Sequence, residues 1–153
     1  MRDVLLLLVF TAILPFAMRR TWVAVLLWTW VSVMNPHKLA WGFALDAPFA
    51  AVAAGAAFIS LAFNQDKLRM PWQPEVISLL LFVGWMCITT IFAYYPAESF
   101  TQLVKVLKIQ VMTVVALAAI RERKHIELFV WVNALSIGFF GLKGGIFTIL
   151  GGG

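Results

Sequence analysis

The stretch VISLLLFVGWMCITTIFAY, residues 76–94, carries no charge and is as long as a helix that crosses a bilayer. It follows Pro71-Trp72-Gln73-Pro74-Glu75, where two prolines and a carboxylate suit the first turn of a helix. It ends at Tyr94-Tyr95-Pro96, an aromatic pair of the kind that anchors a helix at the membrane surface. Buried strands rarely exceed about eight residues, so a run of this length reads as helix.

The same pattern recurs on both sides. Towards the amino terminus, Val4 to Met18 is apolar and closed by Arg19 and Arg20. Ala17-Met18-Arg19 is a poor cleavage site and another apolar run follows at once, so this segment is expected to be a retained helix, not a signal peptide. Thr21 to Met34 is rich in tryptophan and ends at Asn35-Pro36-His37-Lys38, a helix breaker. At 1.5 Å per residue these two segments rise only about 21–23 Å, short of the ~30 Å hydrocarbon core, so crossing needs thinning, snorkelling or a re-entrant path. Phe43 to Phe63 contains Ala50, Ala51, Ala53, Ala54, Gly55, Ala56 and Ala57, small residues that let helices approach closely in lipid. It is expected at the centre of the bundle. Towards the carboxyl terminus, Phe100 to Ile120 is followed by Arg121-Glu122-Arg123-Lys124-His125. The last segment begins near Ile126 and fades into Gly138, Gly141, Lys143, Gly144 and Gly145.

The reading is therefore all-α: one polytopic integral membrane bundle over residues 1–153, with about six transmembrane segments. Composition agrees, with 63% hydrophobic and 12% charged residues against roughly 45–50% and 25% in a soluble domain. The net charge of +5 does not make a nucleic-acid protein, because the basic residues sit in short clusters between apolar runs and not in a stripe. The single Cys87, inside an apolar run, excludes a disulfide framework or a cysteine metal cluster within one chain. The chain ends in Leu150-Gly151-Gly152-Gly153 without a polar tail, which is expected of the amino-terminal part of a longer membrane protein.

If all six segments cross, Arg19, Arg20, Lys67, Arg69, Arg121, Arg123 and Lys124 share one side, against Arg2, Lys38 and Lys143 on the other. The positive-inside bias puts the first group in the cytoplasm and leaves the amino terminus and the Asn35 to Asp46 loop outside.

The most informative polar feature is Gln102, Lys105 and Lys108, spaced three apart and thus on one helical face. Two lysines without a nearby acid suit a phosphate or other anion; alternatively, the first turns lie among the headgroups and the lysines snorkel outward. His37 sits in a loop with Lys38 and Trp41, but without a matching partner it makes no metal site, and no metal is expected. His125 reads as part of a basic belt. The acids Asp46, Asp66, Glu75, Glu98, Glu122 and Glu127 fall at segment ends, where capping and solvation explain them. There is no nucleophile triad, P-loop or dinucleotide fingerprint. Gly138 to Gly145 around Lys143 reads as a flexible, backbone-exposing element beside an anion, as small-residue packing or as a helix break.

Several stretches together carry a family resemblance. These are Met1-Arg2-Asp3 with its leucine run, Met34-Asn35-Pro36-His37, Trp41-Gly42-Phe43-Ala44, Pro48-Phe49-Ala50, Lys105-Val106-Leu107-Lys108-Ile109-Gln110 and the run from Gly138 to Thr148. With them the chain resembles the amino-terminal part of the O-glycosylation ligases associated with the exosortase A system, within the O-antigen ligase and polymerase superfamily. The resemblance implies a multi-pass protein of the bacterial inner membrane. It also implies a metal-independent glycosyltransferase, without cofactor, that moves a glycan from an undecaprenyl-diphosphate carrier to a protein or lipid acceptor. Basic residues would hold the diphosphate, with Lys105, Lys108 and Lys143 as candidates and Gln102 and His37 as secondary ones. The catalytic histidine and large periplasmic loop of such enzymes would lie downstream, so no residue here is catalytic by carry-over and the chain alone is expected to be inactive. Two other classes fit the residues: a transporter or flippase for an anionic or lipid-linked substrate, and a structural subunit packing through its alanine-rich segment.

Overall fold

The computed structural model describes residues 2–36, 48–63 and 72–151. All its regular structure is helical: α1 (Arg2–Arg19), α2 (Thr21–Met34), α3 (Phe49–Phe63), α4 (Pro74–Ile91), α5 (Pro96–Ala119) and α6 (Arg123–Gly151). Local chemistry explains the ends. Asn35 closes α2 in the left-handed region, φ 44°, and its N–H donates to the Val31 carbonyl. Asparagine tolerates that conformation better than most side chains. Pro74 starts α4 at the position where a missing N–H costs least, and Glu75 faces its positive end. Pro96 and Glu98 do the same for α5.

Three helices, α4, α5 and α6, are long and apolar enough to cross a membrane, which makes this a membrane protein of the all-helical class. That is fewer than the six segments expected. α2 and α3 have 14 and 15 residues, about 21 and 22 Å of rise, and in α1 the apolar part is confined to Val4–Arg19 and interrupted by Pro15. Of the Phe43 to Phe63 segment, residues 43–47 lie outside the described residues and the helix begins at Phe49.

The helices fall into two compact units: α1, α2, α3 and α6 form one, α4 and α5 the other. In the four-helix unit α2, not the alanine-rich α3, is central, because it packs against α1, α3 and α6 while α3 packs against α1 and α2. Its buried residues Thr21, Ala24, Val25, Leu27, Thr29 and Val31 cover roughly 200° of its circumference at 100° per residue. α3 meets its neighbours through Phe49, Ala53, Ala56, Ala57 and Ser60. The Phe10 and Phe49 rings meet edge to face at 5.1 Å, tying α1 to α3. Thr21 Oγ1 and Ser60 Oγ share a buried hydrogen bond of 3.1 Å between α2 and α3. Small-residue packing with a hydroxyl bridge is the usual means of joining helices in lipid, where apolar burial alone gives no preference.

α6 corrects the expectation of a fade or break at the glycines. It continues through Gly138, Gly141, Gly144 and Gly145 to Gly151. A Cβ at any of these four would meet nothing within 4 Å, so no neighbour among the described residues requires a glycine there. Gly141→Ala and Gly144→Ala are therefore expected to stabilise α6 by roughly 0.5–1 kcal/mol each, read as a raised melting temperature in detergent. A clear loss of stability would reveal a close backbone contact and contradict the open geometry.

Candidate functional site

In the helical pair, α4 ends at Ile91, and Phe92–Tyr95 turn the chain into α5. The turn is held by the Ala93 N–H on the Thr90 carbonyl, 3.2 Å, and the Ser99 N–H on the Tyr95 carbonyl, 3.1 Å. Exposed Tyr94 and Tyr95 rings meet edge to face at 5.2 Å. This end has the composition of a membrane interface.

Helical spacing then brings Gln102, Lys105 and Lys108 to one face of α5, as expected, and all three are exposed. Neither lysine pairs with a carboxylate among the described residues. Continuing the spacing by four and three residues reaches Met112 and Val115, both buried. Lys105, Lys108, Met112 and Val115 thus form one 3-4-3 stripe, open at the lysines and covered one turn later. A face that becomes protein-covered one turn on is not the one expected to point at lipid chains along its length.

Depth along the helix separates the two lysines. Arg121, Arg123 and Lys124 mark the end of the apolar part of α5 near residue 120. Counting back the ~20 residues that span a hydrocarbon core puts the other boundary near residue 100. Lys105 then lies about 8 Å inside and Lys108 about 12 Å inside. Lys105 is within snorkelling distance of the headgroups; Lys108 is much harder to account for that way.

Beside this stripe, Thr89, Thr90 and Tyr95 face Glu98, Ser99 and Gln102 across an open groove of about 470 Å³. The threonine hydroxyls are engaged with backbone, Thr89 on Trp85 and Met86 carbonyls and Thr90 on Met86. Of these residues the sequence pointed only to Gln102 as a candidate for binding, with Tyr95 read as an interfacial anchor and Glu98 as a solvated segment end, because the groove exists only once α4 packs on α5. It also missed Gln110, whose Oε1 is buried without a hydrogen-bond partner, an unsatisfied polar atom inside an apolar helix.

The remaining candidates lie elsewhere. Lys143 belongs to the four-helix unit, on an exposed face of α6 with Phe140, Ile146 and Phe147. His37 lies outside the described residues. His125 is not merely part of a basic belt: its ring stacks on Trp22 at 4.3 Å and 17°, joining α6 to α2.

All of residues 1–153 match one protein family, described as a family of unknown function, DUF5935. The chain belongs to DUF5935. No curated protein and no solved structure matches it. The most distinctive polar feature of this DUF5935 chain is the lysine stripe of α5.

Proposed function

We propose that this chain is the amino-terminal membrane portion of a bacterial O-antigen-ligase-like glycosyltransferase, which moves a glycan from an undecaprenyl-diphosphate carrier to a protein or lipid acceptor. The observation that supports this reading most is the placement of Lys105 and Lys108, without acidic partners among the described residues, in register with buried Met112 and Val115 on a helix able to span the membrane. In glycan transfer the diphosphate gains negative charge as the sugar leaves. Fixed ammonium groups in a poorly hydrated site stabilise that charge more strongly in the transition state than in the ground state. Lysine suits the task as a compact point charge. The four-carbon stem reaches an interfacial phosphate while its carbons stay among apolar side chains. Catalysis itself is assigned to residues downstream of Gly153, as the resemblance implies.

The protein is multi-pass in the inner membrane in this reading, with the short α1 to α3 crossing a locally thinned bilayer and the amino terminus outside. Reporter fusions after Arg20 and after Lys124 are expected to give a cytoplasmic signal, and one within residues 35–46 the opposite. A cytoplasmic signal from that loop would overturn the orientation. A transporter or flippase would move an anionic or lipid-linked substrate past the same lysines; a broken helix at Gly138 to Gly145 would suit it, and α6 is continuous there. The function is tested by transfer from a purified lipid-linked donor with the full reading frame. Transfer that depends on this gene supports the reading; unchanged transfer in a deletion strain defeats it.

A further inference from the structure

The groove between α4 and α5 carries chemistry that the lysine stripe does not use. Its volume of about 470 Å³ falls within the roughly 300–1,000 Å³ of small-molecule sites. Near the interfacial turn, Tyr95, Glu98, Ser99 and Gln102 meet Thr89 and Thr90; further from the turn the lining is apolar, with Met86, Leu103 and Val106. The threonine hydroxyls donate to backbone carbonyls. Among the described residues Glu98 pairs with no cation, and the Ser99 hydroxyl and Gln102 amide make no hydrogen bond. They offer a charged acceptor, a hydroxyl and an amide that both donate and accept. Beside them stands the Tyr95 ring, 66% exposed. No cation lines the groove, so a phosphate would meet only a repelling carboxylate there. An ammonium would satisfy Glu98 but leave the donors of Ser99 and Gln102 unused, with Lys105 one turn further in. A sugar ring satisfies the whole set. Its neighbouring hydroxyls donate to the carboxylate in charge-assisted hydrogen bonds and accept from the amide, while its C–H face packs on an aromatic ring.

We infer that this groove holds a sugar ring, the one attached to the diphosphate of the lipid carrier, with Tyr95, Glu98 and Gln102 as its principal contacts. The site rests on the glycan-transfer reading, since it takes the sugar of the same lipid whose diphosphate the lysines hold. Gln102 belongs both to the groove and to the face that carries Lys105 and Lys108, so the two adjoin. Side chains on a helix lean towards its amino end, which carries the Lys105 ammonium back towards Gln102. A diphosphate held by these lysines therefore presents its sugar towards the turn at Tyr94 and Tyr95. Position along the helix agrees. The groove lies at the end of α5 opposite the basic cluster of Arg121, Arg123 and Lys124, which is the outer end in the proposed orientation.

The test titrates the full chain, purified in neutral detergent, with undecaprenyl diphosphate and with the same lipid bearing a single glucose, galactose or N-acetylglucosamine. Retention is read by native mass spectrometry. At least one sugar-bearing lipid is expected to bind about 10-fold tighter than the bare lipid, the gain from one charge-assisted hydrogen bond. Glu98→Gln and Tyr95→Ala should each remove most of that advantage and leave the affinity for the bare lipid unchanged. Lys108→Gln should weaken both lipids alike, and Glu75→Gln, at the far end of α4, should change neither. If a groove variant folds poorly, Ser99→Cys in a Cys87→Ala background gives a separate reading, with thiol labelling blocked by the sugar-bearing lipid and not by the bare one. Equal binding of bare and sugar-bearing lipids, an advantage that survives both groove substitutions, or labelling that the sugar does not block would overturn the groove site alone. No retention of any of these lipids would overturn the glycan-transfer reading and the groove site with it.

Discussion

Replacing Lys108 by Gln in the full reading frame lowers glycan transfer by about 10- to 150-fold, the equivalent of losing one charge-assisted hydrogen bond of roughly 1.5–3 kcal/mol. The size follows from location. A lysine among the headgroups exchanges one hydrated environment for another when neutralised, and its loss is nearly silent. Lys108, about 12 Å inside the boundary set by counting back from the basic cluster, has little water to replace it. Lys105→Gln acts in the same direction but less strongly, because that side chain lies closer to the surface. Lys108→Arg keeps part of the activity, since charge survives while its geometry changes. Lys67→Gln, in the polar connection between segments three and four, serves as the control. Rates are normalised to folded protein in the membrane. Wild-type transfer from both Gln variants would return the lysines to snorkelling and remove the anion site.

Ala57→Leu destabilises the four-helix unit by about 1–3 kcal/mol, the range for forcing extra carbon atoms into a packed interior. Ala57 is fully buried, as is Ala53 one turn earlier, on the face that α3 presents to its neighbours. A leucine there drives α3 away from the helices it touches and strains the 3.1 Å bond between Thr21 and Ser60. Gly55→Ala, on the same helix but with nothing within 4 Å of the added carbon, is expected to be neutral or slightly stabilising. Thermal unfolding in detergent separates the two. Equal behaviour would mean that α3 is not held by its small-residue face.

Helix positions were legible where the sequence carries punctuation. α2 runs from Thr21 to Met34 as expected, because Arg20 bounds one end and Asn35-Pro36 the other. α6 was not legible at its far end, since glycines weaken a helix in water by about 1 kcal/mol each. In an apolar medium an opened turn leaves backbone groups unpaired at greater cost, so the helix continues through them. The centrality of α2 was also hidden, because a helix apolar on every side does not reveal which neighbour each side meets. For the site, the spacing of Gln102, Lys105 and Lys108 gave their common face. That Met112 and Val115 continue it into covered structure required packing, as did the groove containing Glu98.

The most direct measurement is thiol labelling along α5 in native membranes, with Cys87 first replaced by Ala. Lys105→Cys and Lys108→Cys are expected to react with a small charged thiol reagent and to be protected by a diphosphate lipid. Leu117→Cys, exposed on the opposite side of the same helix from Lys108, should stay unreactive in lipid. Reaction at 105 with none at 108, or no protection at either, would contradict a diphosphate held on this face of α5.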